Sequence, residues 1–229
     1  MPKNSFIARA LRFLGILLMA LTGGFTLLGG IGTSCVAFNP KGFGESMAKL
    51  APMQWLYILF VLTGIALGVL GIRATVLLVK GRERSYENAL TILIASVLVG
   101  GLHIYISRLL RGKSMPVDAV VYTAALTLVV FLLFRLPGIR QGVDFTKAPP
   151  IDNLKAGGAA AILLGLLVLT IQFTMGATHT WDGVNYANAF YAAMTLAGSA
   201  SLLLGLVMLA GIRLPRASIQ RLSASKTQF

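Results

Sequence analysis

Four side chains within or beside long apolar stretches carry most of the polar chemistry this sequence offers: His103, Ser107, Arg108 and Gln172. His103 is the one histidine set well inside an uncharged run. An ionisable group at membrane depth is a functional candidate, because its burial costs free energy that a partner or a ligand must offset. Ser107 follows one helical turn later, on the same side, and Arg108 adjoins it. Gln172 lies at a comparable depth in a later run. If these helices bundle with their polar sides inward, the four residues predict a polar pocket in the outer half. Such a pocket would suit a small polar or anionic molecule or a lipid headgroup, with Trp55 and Trp181 near its mouth. The competing use of the same groups is interhelical hydrogen bonding, worth about 0.6–2 kcal/mol per bond.

Patterns for catalysis are missing from the sequence. There is no Gly-x-Ser-x-Gly, no His-Glu-x-x-His and no Walker loop. Gly112-Lys113-Ser114 reproduces only the end of a Walker loop, with Ser107 where its first glycine should stand. Cys35, His103 and His179 share no zinc-ligand spacing, and a bis-histidine haem needs a second histidine at the depth of His103, whereas His179 falls in a loop. The seven acidic residues (Glu45, Glu83, Glu87, Asp118, Asp144, Asp152 and Asp182) all lie outside the uncharged runs, which disfavours a proton relay through buried carboxylates. No metal and no cofactor is expected. Cys35, alone, reads as a small apolar filler.

The elements that must position these residues are the uncharged runs themselves. They cover residues 13–40, 50–72, 88–107, 119–134, 156–181 and 183–212. A helix needs about 20 residues to cross the hydrocarbon of a bilayer. The fourth run has only 16 residues and relies on residues 115–118 and a snorkelling Arg135 to reach the interfaces. Backbone groups in lipid must satisfy one another, so the runs are read as helices. The fold class expected is therefore all-α: an integral membrane bundle of about six transmembrane helices. Its spans lie near 13–38, 52–79, 88–108, 117–135, 156–178 and 187–212, within one domain over residues 1–213, followed by a basic cytoplasmic tail at 214–229. The first run is far longer than the apolar part of a signal peptide and is expected to be the first membrane helix.

Composition agrees: 56% of residues are hydrophobic, only 12% are charged, and the mean hydropathy is +0.81. The net charge of +13 comes from 20 Lys and Arg against 7 Asp and Glu. These cations sit between apolar runs rather than on a clustered face, which points to anionic lipid headgroups and away from nucleic acid. With both termini placed in the cytoplasm, 15 of the 20 fall inside and 5 outside. The exceptions concentrate at one turn, Arg108, Arg111 and Lys113. Arg73, Arg140 and Arg213 each close a Gly-Ile-Arg triplet at the expected inner end of a helix, which suggests three hairpins of similar build and lipid-phosphate contacts there.

Small residues recur at steps of three, four and seven: Gly64, Gly68 and Gly71; Gly100 with His103; Gly165; Gly198 and Gly205. Such stripes let membrane helices approach closely. The fourth run is mainly Val, Leu and Phe and is expected to face lipid most. The function expected first is a non-catalytic structural or interaction subunit of a membrane complex, homo- or hetero-oligomeric, in a bacterial-type cytoplasmic membrane. A small-solute carrier or channel using the outer pocket, and a haem- or quinone-binding redox anchor around His103, are the alternatives.

Overall fold

A computed structural model of the chain describes residues 2, 5–147, 150–174, 176–181 and 183–211, without the side chains of residues 147, 172, 177, 178, 181, 186 and 187. Arg213 and the 214–229 tail lie outside the described residues. The fold is nearly all helical. Six long helices carry it: α1 (Phe6–Phe38), α2 (Gln54–Val79), α3 (Ser85–Arg111), α4 (Val117–Leu133), α5 (Pro150–Thr174) and α6 (Tyr191–Leu209). Short helical turns lie in the α1–α2, α4–α5 and α5–α6 connections, and Thr180–Trp181 pairs antiparallel with Val184–Asn185 between α5 and α6. Among the described residues, five helices are long and apolar enough to cross a membrane. The exception is α4, whose 17 residues rise about 25 Å at ~1.5 Å each.

The helix limits differ from the uncharged runs where caps, not charges, end a helix. Ser5 accepts a hydrogen bond from the Ala8 backbone N–H at 3.2 Å, so α1 starts there and carries Arg9 and Arg12 within it. In the same way α5 starts at Pro150, ahead of Asp152 and Lys155.

The helices run alternately up and down. The end at which α1 begins, called proximal, also holds the end of α2, the start of α3 and the loop after α4; the distal end holds the α1–α2, α3–α4 and α5–α6 connections. Helix α1 is central, packing on α2, α4 and α5, while α3 bridges α2 and α4. Helix α6 rests principally on α5.

Glycines set the closest approaches. A Cβ added at Gly71 would stand 2.8 Å from Gly23 Cα, and one at Gly68 would stand 2.5 Å from the Leu27 backbone. Gly64 lies opposite Gly30: a Cβ on Gly64 would stand 3.8 Å from Gly30 Cα, an ordinary contact, whereas one on Gly30 would stand 3.0 Å from the Ile65 nitrogen. The second seam joins α5 to α6: a Cβ at Gly165 would meet the Gly198 carbonyl at 2.8 Å, and one at Gly205 would meet the Gly158 carbonyl at 2.6 Å. Gly198 would press on Leu169, and Gly100 leaves room for Val121 across the α3–α4 hairpin. These small faces are thus occupied within the chain.

The proximal end is sealed by an apolar core in which Phe131, Phe134, Val143 and Phe145 join Ile16, Met19, Leu78 and Leu93. The chain after α4 folds back over it. Arg12, only 2% exposed, donates to the Gly142 carbonyl at 2.7 Å and stands 3.8 Å from Asp152. Asn153 donates to the carbonyls of Leu78 and Phe145 at 3.3 and 3.1 Å. Arg73 and Arg140 are exposed at this end.

Two expectations are corrected. Helix α4 is not the most peripheral: it buries Val121, Ala124, Thr127 and Phe131, and Thr127 shares a 2.7 Å hydrogen bond with Thr22 of α1. The outlying helix is α6, where only Gly198 and Gly205 are buried. Hydrocarbon and protein interior are equally apolar, so side-chain type alone does not separate a lipid face from a packed one. The Gly-Ile-Arg triplets also differ in setting. Gly71 is buried mid-helix against Gly23, Gly138 lies in the single turn Pro137–Arg140 with open space beside it, and Gly211 sits beyond the end of α6 at φ +68°.

Candidate functional site

Where α1, α2, α3 and α4 converge in the distal half, their side chains leave a largely apolar cavity of about 100 Å³. Helix α1 contributes Thr26, Gly29, Gly30 and Thr33, and α2 contributes Phe60, Gly64 and Leu67. Helix α3 contributes Ser96, Val99, Gly100 and His103. Pro116, Val117, Val120, Val121 and Ala124, from the start of α4 and the turn before it, complete the wall. The void follows from residue size. A Cβ at Gly64 would make one ordinary contact, 3.8 Å to Gly30 Cα, and meet no other atom within 4 Å, so the glycine leaves unfilled space there.

His103 is the most versatile hydrogen-bonding group on this wall. Its ring is stacked on Phe60, with centroids 4.4 Å apart and planes 15° from parallel, and the edge of Tyr57 meets it at 5.2 Å and 79°. No described residue forms a hydrogen bond with the imidazole. A neutral imidazole holds one N–H donor and one bare nitrogen acceptor, so two aromatic neighbours fix the ring while its polar capacity goes unspent. The hydroxyls of Thr26 and Thr33 donate to carbonyls of their own helix, Thr22 at 2.7 Å and Gly29 at 2.7 Å, and their remaining lone pairs can accept.

Ser107 and Arg108 are near neighbours of this cavity but do not line it. Ser107, 1% exposed, shares a 2.7 Å hydrogen bond with the Tyr57 hydroxyl and thereby steadies the ring that braces His103. Arg108 points the other way, along the α3–α4 turn. Its Nη2 donates to Asp118 Oδ1 at 3.2 Å and its Nε to Ser114 Oγ at 3.0 Å. Ser114 in turn donates to both carboxylate oxygens of Asp118, at 2.7 and 2.8 Å. Pro116 and Val117, which roof the cavity, lie between Ser114 and Asp118, so this polar clamp fixes the roof. Arg111 reaches Ser46 at 3.4 Å. Two of the three cations at this turn therefore have assigned partners.

The side chain of Gln172 lies outside the described residues, and no described residue of α5 lines the cavity. Trp55 is exposed at the distal end, and the side chain of Trp181 lies outside the described residues. His179 approaches the distal part of α1, its Nε2 3.7 Å from the place a Cβ on Gly32 would occupy. Among the described residues no three His, Cys, Asp or Glu side chains gather as a metal site would require.

Sequence reasoning missed Asp118, Phe60 and Tyr57. Asp118 is an acid in the first turn of α4 that is 92% buried (8% exposed), and the Ser114-to-Asp118 spacing across a turn is the signal that marks it. Phe60 carries no signal beyond apolar character, and Tyr57, by its place at the start of a span, reads as a ring for the outer headgroup level but is buried; ring stacking between α2 and α3 depends on helix rotation that one sequence does not specify. Comparison with protein-family models, with curated proteins and with solved structures returns no match for this chain.

Proposed function

We propose that this chain is a multi-pass membrane protein that holds a small molecule in the distal half of its bundle and performs no covalent chemistry on it. The observation that carries this reading is the His103 imidazole, fixed by Phe60 and Tyr57 and left without a hydrogen-bonding partner on the wall of a preformed cavity. The imidazole is partly buried, and a polar group withdrawn from water without a hydrogen bond costs free energy, which a ligand that bonds to it would offset. In this reading the chain crosses a bacterial-type cytoplasmic membrane six times. Both termini are cytoplasmic, the distal cavity opens toward the outer leaflet, and Arg73, Arg140 and Arg213 meet anionic headgroups on the inner side. The charge bias of the loops supports that orientation. The test is native mass spectrometry of the protein released from nanodiscs made with native lipid. A bound small molecule that disappears in a His103→Phe, Gly64→Val variant supports the reading; an adduct-free spectrum at matched conditions counts against it. Sidedness is read separately, by maleimide labelling of single cysteines placed at Arg140 and at Lys113 in sealed vesicles of the Cys35→Ser chain.

A second reading, a subunit of a membrane assembly, draws on α6. Leu196 and Leu203 are 73% and 62% exposed, and the helix is held mainly by α5. With the glycine faces occupied within the chain, a partner would have to use this outer side. A monodisperse monomer in mild detergent, with no second chain, would remove this reading.

A further inference from the structure

We propose that the occupant of the His103 cavity is a single-ring molecule bearing a hydroxyl group, of the phenol class. This rests on the reading of the cavity as a binding site and goes on to name what fits it.

Size sets the first limit. The pocket is open on one side and encloses about 100 Å³, less than the ~150 Å³ of an engineered apolar cavity that admits benzene. A single six-membered ring can enter it with one edge left at the opening. A porphyrin or a fused polycycle does not fit within it.

Polarity sets the second limit. A buried water needs two to four polar partners. The wall offers too few. Thr26 and Thr33 have committed their protons to Thr22 and Gly29, which leaves acceptor lone pairs. His103 and Ser96 are the remaining polar side chains, and the rest of the wall is glycine, valine, leucine, alanine, proline and phenylalanine. An apolar body with one polar group matches this supply better than a cluster of waters.

The kind of polar group follows from the donors and acceptors. The threonine oxygens can only accept, while the imidazole and the Ser96 hydroxyl can do either. A hydroxyl suits this mixture, since its proton goes to a threonine oxygen or the bare imidazole nitrogen while its oxygen takes the imidazole N–H or the Ser96 proton. A carbonyl ligand could take only the imidazole N–H or the Ser96 proton and would leave the threonine acceptors facing apolar surface. Phe60, already stacked on His103, adds an aromatic neighbour for a ring.

The probes are 4-fluorophenol and fluorobenzene, two rings of nearly equal size that differ by the hydroxyl. Binding is followed by fluorine NMR to the full chain in nanodiscs, with protein-free nanodiscs subtracted for partition into lipid. The wild type is expected to bind both saturably, with 4-fluorophenol the tighter. His103→Phe keeps the stack on Phe60 and should weaken 4-fluorophenol roughly three- to tenfold, the worth of one buried hydrogen bond, while fluorobenzene holds. Gly64→Val, which places its side chain in the void, should abolish both; its thermal transition, measured in parallel, reports whether it folds. Equal affinities for the two probes in the wild type, or an unchanged preference in His103→Phe, overturn the phenol assignment and leave the cavity as a binding site. Failure of both probes to saturate above protein-free nanodiscs overturns the assignment together with the binding reading itself.

Discussion

Replacing Gly68 with alanine tests whether the α1–α2 seam is as tight as its geometry states. The three approaches along this seam pair Gly23 with Gly71, Leu27 with Gly68, and Gly30 with Gly64. Gly68 is the middle one, and its added Cβ would stand 2.5 Å from the Leu27 backbone nitrogen and Cα, atoms that cannot rotate away. An ordinary contact begins at 3.4 Å, so the helices must part by about 0.9 Å at that point. A gap of ~0.5–1 Å forfeits a quarter to a half of each dispersion well that it opens, and a central wedge opens the contacts on both sides of it. Overpacking of this kind costs about 1–3 kcal/mol. Gly64→Ala and Gly101→Ala are the matched controls. Their Cβ atoms meet only Gly30 Cα at 3.8 Å and nothing within 4 Å, respectively. At both sites the better helix propensity of alanine, about 0.5–1 kcal/mol, should leave stability equal or higher. The assay is reversible unfolding by denaturing detergent titrated into mixed micelles, read by the circular dichroism of the helices. If Gly68→Ala unfolds at the same detergent fraction as Gly101→Ala, the seam is not close-packed and the glycine argument fails.

Three further outcomes follow from the polar contacts. Arg12→Met keeps the buried stem but removes the donor to the Gly142 carbonyl; it should cost about 1.5–3 kcal/mol and speed limited proteolysis within residues 134–147. Tyr57→Phe leaves buried Ser107 without its partner and should cost about 1–3 kcal/mol, whereas adding Ser107→Ala should recover part of that loss in a double-mutant cycle; strictly additive costs would show that the two hydroxyls do not interact. Asp118→Asn should quicken amide hydrogen exchange at residues 114–118 and in the first turn of α4, read by mass spectrometry, while exchange in α5 stays unchanged; equal exchange at 114–118 would mean that the Arg108 and Ser114 contacts do not hold the turn.

The sequence revealed the helices because lipid leaves the backbone no alternative, and an uncharged run of sufficient length can do little else. It also revealed which glycines recur at helical spacing, but not which faces which. Gly68 meets Leu27, and Gly165 meets Gly198, only because particular helices are neighbours. Charge misled at helix starts: Arg9 and Arg12 read as the flank of α1 and are part of it, because Ser5 provides the cap. Asp118 and Arg108 were read separately, one as a loop acid and the other as a pocket cation, yet the turn between them makes them a pair. His103 was singled out for its depth, and its placement on the cavity comes from the rotation of α3 against Phe60, which is a property of the assembled bundle. The pocket itself was expected to be polar. Its largely apolar wall reflects the turn of Ser107 toward Tyr57 and of Arg108 toward Asp118.

Most of the tight glycine contacts join helices that are consecutive in the chain: α1 with α2, α3 with α4 through Gly100 and Val121, and α5 with α6; Gly24, whose added Cβ would stand 2.5 Å from Leu164 of α5, and Gly157, 2.8 Å from Val79 of α2, instead join different pairs. Each pair can therefore zip together as soon as its second member leaves the translocation machinery, before any later helix has been made. Biogenesis then becomes the docking of three prefolded hairpins, and the joints between them, such as Thr22 with Thr127 and Asn153 with Leu78, are the last to close. A ribosome stalled after the second helix should already expose a compact, protease-resistant unit in the membrane.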